Sequence, residues 1–180
     1  FSNIGVTNNS VATGINITSG ASASITGNSF SNLTNTGTNS SAALYGIFMS
    51  AGVGTITGNS FSNFNKSGAA STGAYAAIRY SAVASATNTI ARNTITGLTT
   101  NTTAGIVSGI YLEGSTSASA VVNMSNNMLS NITANASNGV PSVRALDLRG
   151  GGTINVYFNT VYLNGMTATS TSHQSAALTW

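Results

Sequence analysis

Apolar residues return along this chain in two short alternating blocks that keep step with each other from end to end. One block reads Ile25-Thr-Gly-Asn28-Ser-Phe30-Ser-Asn32-Leu33. It recurs from Ile56, Ile90, Met124 and Val156, and the opening Phe1-Ser2-Asn3-Ile4 matches its tail. Its anchoring asparagine falls at Asn28, Asn59, Asn93, Asn127 and Asn159, in steps of 31, 34, 34 and 32 residues. The second block reads Gly14-Ile15-Asn-Ile17. It recurs as Gly46-Ile47-Phe-Met49, Ala77-Ile78-Arg-Tyr80, Gly109-Ile110-Tyr-Leu112, Ala145-Leu146-Asp-Leu148 and Ala177-Leu178-Thr-Trp180. Both blocks are short, alternate, and are bounded by Gly, Asn, Ser and Thr, which reads as strand. No apolar stripe of helical period survives.

A unit of this size cannot bury its own apolar face, but stacked units can. Coiling the chain so that equivalent strands lie about 4.8 Å apart predicts a right-handed parallel β-helix. It is all-β, with about five to six coils of 31–36 residues and three short strands per coil. One domain spans residues 1–180, as an excerpt of a longer array. Ile15, Ile47, Ile78, Ile110, Leu146 and Leu178 then form one interior column. Ile17, Met49, Tyr80, Leu112, Leu148 and Trp180 form the next, and Phe30, Phe61, Ile95, Leu129 and Val161 a third. Asn28, Asn59, Asn93, Asn127 and Asn159 form a structural ladder at a bend, where asparagine tolerates left-handed backbone and its amide both donates and accepts. Polar loops of varying length, such as 34–43, emerge once per coil on one side.

The blocks resemble those of right-handed parallel β-helix repeat proteins. The phrase Asn155-Val-Tyr-Phe-Asn159-Thr-Val-Tyr-Leu-Asn164-Gly is similar to repeats in large exported cell-surface proteins of the Bacteroidetes type. The resemblance covers nearly the whole chain. It implies a secreted or cell-surface bacterial protein and is almost silent on activity.

Composition narrows the chemistry. Only 4% of the 180 residues are charged while 41% are hydrophobic, and cysteine is absent, so disulfides, thiolate metal sites and cysteine nucleophiles are excluded. The basic residues are scattered singly, which argues against nucleic acid as a partner. No apolar run is long enough to cross a membrane as a helix. No signal peptide is visible, and a leader is expected to have been removed or to lie outside this stretch.

The two acids, Glu113 and Asp147, lie on adjacent coils. One rung and a two-residue offset put their carboxyls about 8 Å apart, inside the window of roughly 6.5–9.5 Å for an inverting glycosidase. The simpler expectation is a surface ion pair between Glu113 and Arg149, with Asp147 balanced by Arg149 or Arg79 and no catalytic residue. His173 is expected in a solvated loop. Arg149-Gly-Gly-Gly152 lacks the Lys-Ser/Thr of a phosphate loop and reads as a turn. No metal or cofactor is expected.

An outward row holds Asn16, Phe48, Arg79, Tyr111, Asp147 and Thr179. In it Phe48 and Tyr111 are exposed aromatics placed for surface contact with a sugar or a protein. The leading expectation is a non-enzymatic scaffold that self-associates through open β-helix ends or acts as an adhesin. The alternative is a carbohydrate-binding or polysaccharide-processing module. Ice binding is disfavoured, because no regular Thr-x-Thr column persists.

Overall fold

A computed structural model describes residues 1–7, 9–20, 22–68, 74–81, 86–103, 105–113, 119–135, 142–163 and 174–180. His173 and much of the variable loops lie outside the described residues. Within them the chain is a parallel β-solenoid with no helix, wound through three sheets.

The first sheet stacks six strands: Ala12–Ile17, Leu44–Met49, Tyr75–Ser81, Val107–Glu113, Val143–Arg149 and Ser175–Thr179. The second stacks five: Ser22–Thr26, Val53–Thr57, Thr87–Ala91, Val121–Ser125 and Thr153–Tyr157. The third runs from Gly5–Val6 to Thr160–Tyr162, with Ser60–Lys66, Thr94–Thr100 and Met128–Ala134 between them. Every pairing is parallel and joins one coil to the next, so the apolar residues line up as the repeat requires. Ile15, Ile47, Ile78, Ile110, Leu146 and Leu178 are in register along the first sheet. Phe30, Phe61, Ile95, Leu129 and Val161 are in register along the third. The rings of Phe1, Phe30 and Phe61 stack nearly flat at 5.0 and 4.9 Å between centroids. Ile47, Ile78 and Ile110 are fully buried, each worth roughly 1.5–3 kcal/mol of apolar burial.

Two expectations need correction. Trp180 does not complete the second column, because the register ends at Thr179 and Trp180 is fully exposed. The ladder asparagines also do not carry the left-handed backbone. That conformation falls one place earlier, at Gly27, Gly58, Arg92, Asn126 and Phe158, with φ between 54° and 66°. A second left-handed corner, at Asn32, Asn63, Gly97 and Asn131, bends the third sheet.

The asparagine ladder itself is built of repeated bonds. The Oδ1 of Asn93 accepts from the backbone N–H and from the Nδ2 of Asn59, both at 3.0 Å. The Nδ2 of Asn93 donates to Ile56 O and to Asn127 Oδ1, both at 2.9 Å. The same set links Asn28 to Asn59 and Asn127 to Asn159. Asn59, Asn93 and Asn127 are buried. The corner needs an amide because its backbone N–H groups turn inward, where only a side chain of the next coil can reach them.

Candidate functional site: the outer wall of the first sheet

The solenoid brings its chemically distinctive side chains together on the outer face of the first sheet. The register runs Asn16, Phe48, Arg79, Tyr111, Asp147 and Thr179, so the outward row read from the sequence is one physical row. Phe48 and Tyr111 are half-buried rather than freely exposed.

Tyr45 completes the group, and sequence reading missed it. Strict alternation backwards from Phe48 places Tyr45 inside. The alternation instead changes phase between them. A Cβ on Gly46 would meet the Phe61 ring at 2.6 Å, so Gly46 faces the core next to inward Ile47, and Tyr45 swings outward. Gly46 drops out of the strand pairing here, between Tyr45 with Ala76 and Ile47 with Ile78. Tyr45 packs with Ala43 and Ala76, stacks on Phe48 at 5.3 Å, and is almost fully buried. Burial, the largest influence, raises its phenol pKa above the ordinary range.

Arg79 sits at the centre of this group. Its guanidinium carbon lies 5.0 Å from the Phe48 ring centre and 5.5 Å from those of Tyr45 and Tyr111. Its Nη1 donates to the Tyr45 hydroxyl at 2.7 Å, and its Nε donates to Glu113 at 3.0 Å. Its Nη2 also bonds Glu113. Such stacked cation–ring contacts gain most where water is excluded.

The expected Glu113–Arg149 pair is therefore corrected. The two residues are opposite in register, but Glu113 bonds to Arg79 and Arg149 bonds to Asp147. Arg149 lies 5.0 Å over Tyr111 and donates to Asp147 at 3.0 and 3.1 Å. Arg144 donates to the same carboxylate at 2.7 Å, and Thr179 Oγ1 does so at 3.0 Å. A planar guanidinium takes a carboxylate with two donors at once, and Asp147 offers Arg149 that geometry. Asp147 is only 3% exposed, not the open surface acid expected. Burial pushes its carboxyl pKa up, but the bonds from Arg149 and Arg144 outweigh it and hold it below the ordinary range.

Two depressions flank this row. One, of about 740 Å³, lies over Phe48 and Arg79 and is rimmed by Thr13, Asn16, Ser40 and Ser41. The other, of about 160 Å³, lies beside Tyr111, Asp147 and Arg149, and Ala74 borders both. Among the described residues no three His, Cys, Asp or Glu side chains gather in a metal-binding group. No described helix is long and apolar enough to cross a membrane.

No protein-family model, no curated protein and no solved structure matches this chain.

Proposed function

We propose that this protein is a non-enzymatic structural scaffold of the bacterial cell surface or extracellular space, able to self-associate through its coil ends. One observation carries the reading. The apolar columns through Ile47 and Phe61 and the asparagine ladder run in register through successive coils, so each coil is a template for another. The final described coil offers such a template. Val156 and Leu178 are 38% and 48% exposed around an opening of about 430 Å³. The edges of Thr153–Tyr157 and Ser175–Thr179 present backbone groups of the kind that pair with a further strand. A following coil of the same chain or of a second copy satisfies both. The charge-poor, cysteine-free composition and the sequence resemblance favour an exported location. The engagement of Asp147 by two arginines favours a role in folding over one in catalysis.

The test is sedimentation velocity and electron microscopy over a rising concentration series. Concentration-dependent assembly, lost on Val156→Lys, is the expected result. A monomer at every concentration overturns the self-association. Polysaccharide turnover abolished by Glu113→Gln overturns the non-enzymatic reading.

A further inference from the structure

We infer that the outer wall of the first sheet is a binding site for an uncharged polysaccharide, which lies in the cleft over Phe48 and Arg79 and continues toward Tyr111. Four observations lead there, independently of the scaffold reading.

The first is shape. The cleft of about 740 Å³ falls within the roughly 300–1,000 Å³ of small-molecule sites. Its neighbour beside Tyr111 shares the Ala74 border, so the two form one track along the coil axis. A track suits a polymer better than a compact ligand.

The second is the aromatic surface. Phe48 and Tyr111 sit two rungs apart on one row, with Arg79 between them, which is about 10 Å. Both residues are partly exposed, Phe48 with Arg79 against its ring and Tyr111 with Arg79 and Arg149 against its own. Apolar ring surface at that interval matches every second pyranose unit of an extended chain.

The third is rigidity. Arg79 is fixed by Tyr45 and Glu113 while its guanidinium touches three rings. The aromatic platform is thus ordered before any ligand arrives, which lowers the entropy lost on binding.

The fourth is charge. The wall carries Arg79, Arg144 and Arg149 against Glu113 and Asp147, and every one of these guanidiniums already holds a carboxylate. An acidic polymer would have to displace an existing partner. The rim groups Thr13, Asn16, Ser40 and Ser41 are neutral donors and acceptors, suited to sugar hydroxyls.

Isothermal titration calorimetry with six-unit glucan, mannan and xylan oligosaccharides tests this, with oligogalacturonate and heparin as the acidic arm. At least one neutral oligosaccharide should bind. Phe48→Ala and Tyr111→Ala should each weaken it roughly 3- to 10-fold, as loss of one apolar ring contact does. Asn155→Ala, on the second sheet, should leave binding unchanged. Phe48→Leu keeps apolar bulk but not a flat face. It should weaken binding while the far-ultraviolet spectrum and melting curve stay as in the parent. Overturning results are no heat with any neutral oligosaccharide up to its solubility limit, binding of the acidic arm alone, or neutral binding that survives both Phe48→Leu and Tyr111→Ala.

Discussion

At the scale of the residue, the buried asparagines of the ladder persist because the amides of Asn59, Asn93 and Asn127 each both donate and accept within it. Asn93 makes four hydrogen bonds at the corner between the second and third sheets, two to backbone and two to neighbouring ladder amides. Asn93→Ala strands those partners in a dry site, which predicts a loss of about 3–5 kcal/mol in urea unfolding. Asn28 is half-buried at one end of the ladder, so Asn28→Ala should cost less, about 1 kcal/mol. Equal losses at the two sites would show that the ladder does not depend on burial. Lys66 gives a second residue-scale prediction. It lies in register with Asn35 and Thr100 and is fully buried, and burial lowers its amine pKa to about 8. The free amine in an unfolded chain titrates at about 10.4. Between these values the unfolded state holds a proton that the folded state has released, so stability should rise with pH. The gain is present above the unfolded value and is lost as pH falls through about 8. Denaturant midpoints should therefore climb between about pH 8 and 9.5, by about 1–2 kcal/mol, and Lys66→Met should flatten that rise. Above about pH 10 the trend should reverse. Burial holds the hydroxyls of Tyr75 and Tyr80 protonated in the fold, Tyr80 up to about 12, while they ionise in the unfolded chain.

At the scale of the element, the strands of the first sheet and the corner beside them show what the repeat reveals and what it hides. Register was legible, because a period-two pattern repeated every 31–36 residues allows one alignment of coils. The outward row from Asn16 to Thr179 and the asparagine ladder both followed from it. Side-chain phase within a strand was less legible. The shift at Gly46 comes from packing against Phe61, a contact between residues 15 apart that no local pattern records. That shift moved Tyr45 to the outer face, and with it the hydroxyl that helps hold Arg79. The choice among ion-pair partners was also hidden, since Glu113 is opposite Arg149 on one side and only diagonal to Arg79, which is opposite Tyr111, on the other, yet it pairs with Arg79. The packing does leave a trace in the sequence. Small residues of the first sheet meet large ones of the third in compensating sizes, with Gly14 against Phe30, Gly46 against Phe61 and Gly109 against Leu129. Where the third-sheet residue is Ile95 or Val161, the first-sheet residue is Ala77 or Ala145. Gly46→Ala should then cost about 1–3 kcal/mol by overpacking. Adding Phe61→Ile should recover at least about 1 kcal/mol of the summed cost in a double-mutant cycle. Strict additivity of the two would mean that the glycine is needed for some other reason.

At the scale of the whole molecule, the strand pairings among the described residues join each coil only to its neighbours in the stack, so stability should be a sum over coils and the interfaces between them. Excising residues 94–127 tests this, because it removes 34 of the 180 residues and one full period. Asn93 then precedes Met128 and occupies the ladder position of Asn127, whose backbone N–H bonds Asn159. Tyr75–Ser81 comes to lie against Val143–Arg149, since both strands share one register with Val107–Glu113. The excision also takes away Glu113, the carboxylate that holds Arg79. The same register supplies a replacement, because Arg79 and Asp147 are each opposite Tyr111 and become direct neighbours once it is gone. The shortened chain should keep an all-β far-ultraviolet spectrum and unfold in one cooperative transition. Its denaturant m-value should fall by about one-fifth, in proportion to the surface buried. Asp147→Asn should destabilise the shortened chain at least as much as the parent, because Arg79 joins Arg144 and Arg149 in relying on that carboxylate. A shortened chain that fails to fold would mean that the coils are not interchangeable, and that the stack depends on contacts reaching beyond adjacent turns.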